Sequence, residues 1–229
     1  ICSQLMIPNV LTIAGTDPTG GAGLQADLKT FSALGAYGMG AITAVVAQNT
    51  RGVRSFVVLE PDFVGAQIDA VFDDVRVDAV KVGMIANAAI ARVVADRLRR
   101  HARCPVVVDP VMVAKSGDHL LERNAIGLLR EALLPCTFLL TPNLPEAGVL
   151  LDCRAPDTVK EMYRAAERLR ALLPLSSERW VLLKGGHLPG NELVDLLFDG
   201  DRMIEMHDQR IDTRNTHGTG CSLSSAIAA

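Results

Sequence analysis

Residues 13–27 read IAGTDPTGGAGLQAD. An apolar run ends in four glycines within nine positions (Gly15, Gly20, Gly21 and Gly23), and apolar residues at helical spacing follow. Strand, glycine-rich turn and helix in that order form the repeating unit of a parallel α/β sheet. Three readings of such a turn are open. Its N–H groups cradle a phosphate at the helix N-terminus; its glycines only supply positive φ for a tight turn; or they let a small neutral ligand lie against the backbone, with Asp17, Asp27 or Gln48 supplying hydrogen bonds. No Lys-Ser or Lys-Thr pair follows the glycines, which departs from the P-loop pattern. Residues 21–26, GAGLQA, fit GxGxxA, but no acidic residue closes a second strand about twenty residues on. That strand ends instead in Ala47-Gln48-Asn49.

The same unit recurs outward from this stretch. VLTIAG (10–15), AITAVVAQN (41–49), AVKVGM (79–84), PVVVDPVM (105–112), TFLLTPN (137–143) and RWVLLKGG (179–186) read as strands buried on both faces. Between them, residues 24–38, 61–75, 87–102, 123–134 and 158–173 carry apolar residues at three- and four-residue steps and predict amphipathic helices. The alternation predicts βαβ crossovers and a mostly parallel sheet. Residues 193–211 break it, because the Asp199-Gly200 turn between apolar runs predicts an antiparallel edge hairpin. No internal repeat or linker appears, so residues 1–229 read as a single domain. In such sheets ligands sit outside the carboxyl ends of the strands. That singles out Gly15, Gln48, Met84, Asp109, Asn143 and Lys184.

Composition narrows the function. The 229 residues are 49% hydrophobic and only 4% aromatic, so Val, Leu, Ala and Ile must fill the core. A net charge of −3 without a large basic cluster argues against a nucleic-acid partner. No apolar run is long enough to predict a membrane span. Five scattered cysteines without a CxxC pair read as reduced thiols in a cytoplasmic protein. The chain opens at Ile1 rather than Met and is expected to be part of a longer product.

Chemistry concentrates after the strands. In residues 215–224, NTHGTGCSLS, a Gly-Thr-Gly turn runs into an Ala-rich helix; its N–H groups and the helix dipole make an anion site. A thiol in that first turn is expected to have a lowered pKa, which would fit Cys221 as a general base. The plainer reading is a small cysteine at a helix start. Asp109, before Pro110, suits a metal ion or serves as an ordinary turn residue. Asn143 and Glu146 have the spacing of a capping box, yet Glu146 near Asp109 could also help position Mg²⁺. Lys184 before Gly185-Gly186 is a solvated strand end or a phosphate contact. Lys115 lies in a loop that is either exposed or a flap reaching the phosphates on closure. His101, His119 and His207 lack ligand spacing.

Taken together, IAGTDPTGGAGLQADLKTFSALGAYG, ITAVVAQNTRGV, KVGM, VVVDPVMVAKSGD, LLTPNLPEA, LKGGH and NTHGTGCSLSSAIAA span nearly the whole chain. In order and content they resemble the hydroxymethylpyrimidine and phosphomethylpyrimidine kinases of the ribokinase-like superfamily. The resemblance implies a three-layer α/β/α fold and Mg²⁺- and ATP-dependent phosphorylation of 4-amino-5-hydroxymethyl-2-methylpyrimidine and then of its monophosphate, in thiamine biosynthesis. It implies that Gly15, Asp27, Gln48, Met84 and Val111 line the pyrimidine pocket, with Gln48 and Asp27 hydrogen-bonding the ring. Asp109 and Glu146 would manage Mg²⁺, and Asn143, Lys184 and Thr219 the nucleotide. Gly218 to Cys221, with Gly220 between them, would form the anion hole, and the lysines would add positive charge there. It also implies a homodimer and further helices after the segment ending at Ala229, so a C-terminal truncation is expected. Two rivals stand beside this reading: a pyridoxal kinase of the same superfamily, and a non-catalytic pyrimidine- or dinucleotide-binding domain.

Overall fold

The chain is described from a computed structural model over residues 6–112, 125–175, 178–213 and 215–229. In chain order it runs β1 (Asn9–Ala14), α1 (Gly23–Ala33), β2 (Tyr37–Ile42), β3 (Ala44–Asn49), β4 (Gly52–Val58), α2 (Pro61–Asp74), β5 (Ala79–Val82), α3 (Ala88–His101) and β6 (Val106–Val108). Then come α4 (Ala125–Leu128), which continues through a π-turn (Leu129–Leu133) and a 3-10 turn (Leu134–Cys136), β7 (Leu139–Leu140), α5 (Leu144–Leu150) and α6 (Val159–Arg170). The chain closes with β8 (Trp180–Leu183), β9 (Glu192–Phe198), β10 (Met203–Gln209) and α7 (Thr219–Ala228).

Eight strands form one sheet in the order β10-β9-β8-β7-β6-β5-β1-β2. The six from β8 to β2 are parallel, while β9 and β10 add an antiparallel hairpin at the edge, as the Asp-Gly turn predicts. Side chains alternate along each strand between two helical layers. Leu11, Ile13, Val80, Val82, Val106 and Val108 join the core under α2, α3 and α6. Val10 and Val107 join the smaller cluster with Phe31 of α1 and Ala228 of α7. The three-layer α/β/α arrangement therefore follows from strands that are apolar on both faces. Helix starts are locally encoded: Asn87 accepts from the Ile90 N–H, and Thr158 from the Glu161 N–H. Among the described residues no helix is long and apolar enough to cross a membrane.

One predicted strand is corrected. Residues 41–49 do not run through the sheet; they divide at Thr43, whose N–H bonds the Ala14 carbonyl and whose hydroxyl donates to the Met84 carbonyl at 2.7 Å. After that point β3 leaves the sheet and pairs with β4 as a separate antiparallel ribbon. Residues 37–38, included in a predicted helix, begin β2 instead. β4 has no counterpart among the predicted strands, because GVRSFVV is largely exposed and lacks the apolar run of a buried strand.

Candidate active site

The opening loop and the start of α7, about two hundred residues apart, are folded against each other. Gly218 precedes α7 with φ of +76°, and a Cβ there would lie 1.7 Å from the Gly21 carbonyl oxygen, so only glycine fits. His217 Nε2 lies 2.7 Å from Asp17 Oδ2, and Ser225 donates to Asp27 Oδ1 at 2.7 Å. The N–H of Gly23 bonds the Cys221 sulfur.

This packing also shows where the opening loop spends its donors. The N–H groups of Thr19 and Ala22 both point to the Asp17 carboxylate, each at 2.9 Å, and the Gly20 N–H bonds the Asp17 carbonyl. Burial works against the Asp17 anion, but the bonds from His217, Thr19 and Ala22 outweigh it and hold the carboxyl below its usual range. Those donors are used within the loop, whereas the first N–H groups of a helix such as α7 have no intrahelical partner.

Beside that turn, at the carboxyl edge of the sheet, buried charges converge. Asp109 is 2% exposed and accepts from Lys184 Nζ at 3.1 Å and from the hydroxyls of Thr141 and Ser224 at 3.3 Å. A Cβ added at Gly220 would lie 3.4 Å from Lys184 Nζ and 3.7 Å from Asp109 Oδ2, so the start of α7, the lysine and the carboxylate share one space. Lys184 loses hydration on burial, yet Asp109 and Glu146 hold its ammonium above the ordinary lysine value. Glu146 is the N3 residue of α5: its Oε2 accepts from the Asn143 N–H at 2.8 Å while Asn143 Oδ1 accepts from the Glu146 N–H at 2.8 Å. The capping box is therefore present. Burial and then the charge of Asp109 push the Glu146 carboxyl up to about 7.

Two buried carboxyl groups around one lysine gather hard oxygen donors in one place. That set fits Mg²⁺, which takes one or two protein carboxylates and completes its shell with water and phosphate oxygens. Among the described residues no group of three His, Cys, Asp or Glu side chains gathers as a closed metal cage.

The other predicted residues divide. Gly15 abuts Met84, where an added Cβ would meet the sulfur at 2.8 Å, and Met84 packs with Ala44, Val46 and Ala86 into a small apolar wall. Ala86 holds a positive φ of +67°, a local distortion just past β5. Val111 is half-buried two residues after Asp109, and Gln48 lies at a bulge in the β3–β4 ribbon. Thr219 is exposed and its hydroxyl donates to the Thr216 carbonyl. Lys115 lies outside the described residues.

Asp27 is fully buried, and its oxygens take bonds from Thr12 (2.6 Å), Lys81 (2.8 and 3.0 Å) and Ser225. One expectation is corrected. The Cys221 thiol is not shifted down by its helix start. Burial, with Asp109 and Asp27 adding to it, pushes the thiol above its ordinary value against the pull of Lys81 and the Gly23 N–H. Lys81 is a residue that reading the sequence misses. Its only signal is a lysine inside the apolar strand AVKV, where a charge demands a buried partner. A cleft of about 410 Å³ bounded by Leu98, Pro105, Phe138 and Arg179 lies at the amino ends of the strands, away from all these residues.

A mostly parallel sheet with a glycine-led helix N-terminus, a lysine and two carboxyl groups at its carboxyl edge is the arrangement of a phosphotransferase of the ribokinase-like class. The chain belongs to the phosphomethylpyrimidine kinase family, whose profile matches residues 17–229. It is 57% identical to the hydroxymethylpyrimidine/phosphomethylpyrimidine kinase of Salmonella typhimurium over 221 residues, covering 96% of this chain and 82% of the relative. The enzyme of the same name from Escherichia coli is 56% identical over the same shares. Among solved structures, phosphomethylpyrimidine kinase from Clostridium difficile 630 superposes with a TM-score of 0.83 at 41% identity, covering 96% of this chain and 89% of that one. Bacillus subtilis pyridoxal kinase, solved as an ADP complex, gives 0.86 at 36% identity, covering 97% and 83%.

Proposed function

We propose that the chain transfers the γ-phosphoryl group of ATP to the hydroxymethyl oxygen of 4-amino-5-hydroxymethyl-2-methylpyrimidine and then to the resulting monophosphate, in thiamine biosynthesis. The observation that carries this reading is the convergence of Gly220, Lys184 and Asp109 at the start of α7, in a chain 57% identical to an enzyme named for both substrates. Phosphoryl transfer asks chiefly for positioning and charge stabilisation. The first turn of α7, Gly218 to Cys221, offers N–H groups to the transferred phosphoryl, and Lys184 adds positive charge. Asn143 and Thr219 border the nucleotide. Asp109 and Glu146 would hold Mg²⁺, which when bound neutralises phosphate charge. Gly15, Met84 and Val111 wall the acceptor, with Gln48 hydrogen-bonding its ring. Cys221 as thiolate takes the proton from the hydroxymethyl group in the first step; in the second, the acceptor is already an anion and needs no such base.

Pyridoxal kinase is the second reading, favoured by the TM-score of 0.86 to the Bacillus subtilis enzyme. Steady-state kinetics with both acceptors decides between them: kcat/KM for the hydroxymethylpyrimidine is expected to exceed that for pyridoxal, and the reverse order would refute the assignment. We read residues 1–229 as one kinase domain that works as a cytoplasmic homodimer. Free thiols at Cys104, Cys136, Cys153 and Cys221 support the compartment. Exposed Val45, Phe56 and Val57 on the β3–β4 ribbon support the dimer.

A further inference from the structure

One buried ion pair takes no part in the transfer step itself. Lys81 stands on β5 beside Thr12 of β1, and both point into the layer formed by α1 and α7. Both side chains of the Lys81–Asp27 pair are 0% exposed. Gly83 makes room for the ammonium, since a Cβ there would lie 2.8 Å from Lys81 Nζ. Asp27 is held from three sides: Thr12 Oγ1 and Lys81 Nζ from the sheet, and Ser225 Oγ from α7. Ser225 stands four residues after Cys221, one helical turn along the same face of α7. Its neighbour Ser224 donates to Asp109 at 3.3 Å. The helix carrying the anion turn is thus pinned by two adjacent serines, one to the carboxylate at the phosphate edge and one to the buried pair.

We propose that Lys81 is a positioning residue for phosphoryl transfer: by pairing with Asp27 it holds that carboxylate in place, so that Ser225 docks on it and α7 presents Gly218 to Cys221 in the geometry the transferred phosphoryl requires. Without its cation the buried carboxylate is left uncompensated and turns away toward water, and Ser225 loses the oxygen it docks on. The same ammonium faces Cys221 together with Asp27, Asp109 and Lys184, and it opposes the upward push of burial on the thiol. The inference rests on the phosphotransferase reading only for its kinetic arm.

The test uses the full chain in two variants. Lys81→Met/Asp27→Leu removes both charges and, with them, the oxygen that accepts from Ser225. Ser225→Ala cuts the tether and leaves the pair intact, so it reads the same link if the double variant does not fold. In each, hydrogen exchange of the 216–224 amides is expected to speed up at least tenfold while peptides from α3 and β1 stay unchanged. kcat with the hydroxymethylpyrimidine should fall at least tenfold with its KM held within twofold. Exchange of residues 216–224 at the parent rate, or a rise in KM with kcat unchanged, overturns the proposal. Because exchange is read without substrate, its failure is distinguishable from a wrong acceptor.

Discussion

Cys221 carries the sharpest residue-level consequence. Its thiol sits above its ordinary value near 9 because burial and two carboxylates outweigh Lys81, so near neutrality only a minor fraction is thiolate. The first phosphorylation is therefore expected to accelerate as pH rises from 6.5 to 9, while the second, which has an anionic acceptor, does not follow. Rate profiles with the alcohol and with the monophosphate check this, and a flat first-step profile would remove the base role. Cys221→Ala should lower kcat for the alcohol by roughly 10²–10⁴-fold, the usual worth of a positioned base, and affect the monophosphate far less. Gln48 acts on binding instead. Gln48→Ala is expected to raise KM for the pyrimidine by about fivefold to tenfold, the worth of one or two neutral hydrogen bonds, with KM for ATP unchanged; a change in ATP affinity alone would contradict the assignment. Both residues are legible as candidates from their places after apolar runs. The direction of the Cys221 shift is not, since it depends on desolvation and on Asp109 and Asp27 arriving from other elements.

At the scale of the element, the start of α5 holds a carboxyl group under electrostatic stress. Glu146 closes a capping box and at the same time lies buried near Asp109. Its folded pKa of about 7 exceeds the unfolded 4.5, so the stability it contributes is complete below pH 4.5 and is lost as pH rises through 7. By pH 8 the ligand-free chain forgoes roughly 3 kcal/mol relative to a neutral side chain there. Glu146→Gln keeps the reciprocal cap, because a glutamine carbonyl still accepts from the Asn143 N–H, and removes the charge. Its melting temperature should rise by several degrees at pH 8 and hardly change at pH 4.5, while Mg²⁺-dependent turnover falls. Equal melting curves at pH 8 would mean that Glu146 is not under electrostatic stress. The cap is readable from Asn143 and Glu146 three residues apart. The stress is not, because it comes first from burial and then from Asp109, which another part of the chain brings beside α5.

At the scale of the whole molecule, the β3–β4 ribbon stands outside the main sheet with Val45, Phe56 and Val57 exposed at 49%, 41% and 67%. A homodimer through this surface predicts that Val57→Lys sediments at the mass of one 24.5 kDa chain and melts within a degree or two of the parent, whereas the parent sediments at twice that mass. A monomeric parent would refute it. The sequence by itself determined the layers, the parallel strands, the edge hairpin, the Asn143–Glu146 cap and the family, because apolar periodicity, turn residues and contiguous motifs are local properties written along the chain. Only the tertiary structure decided that residues 41–49 divide at Thr43, that Asp17 consumes the donors of the glycine loop, and that Asp27 turns inward to Lys81 and Ser225. These depend on which groups meet through space and lose water together. A carboxylate 198 positions from its serine partner leaves no periodic trace in the sequence.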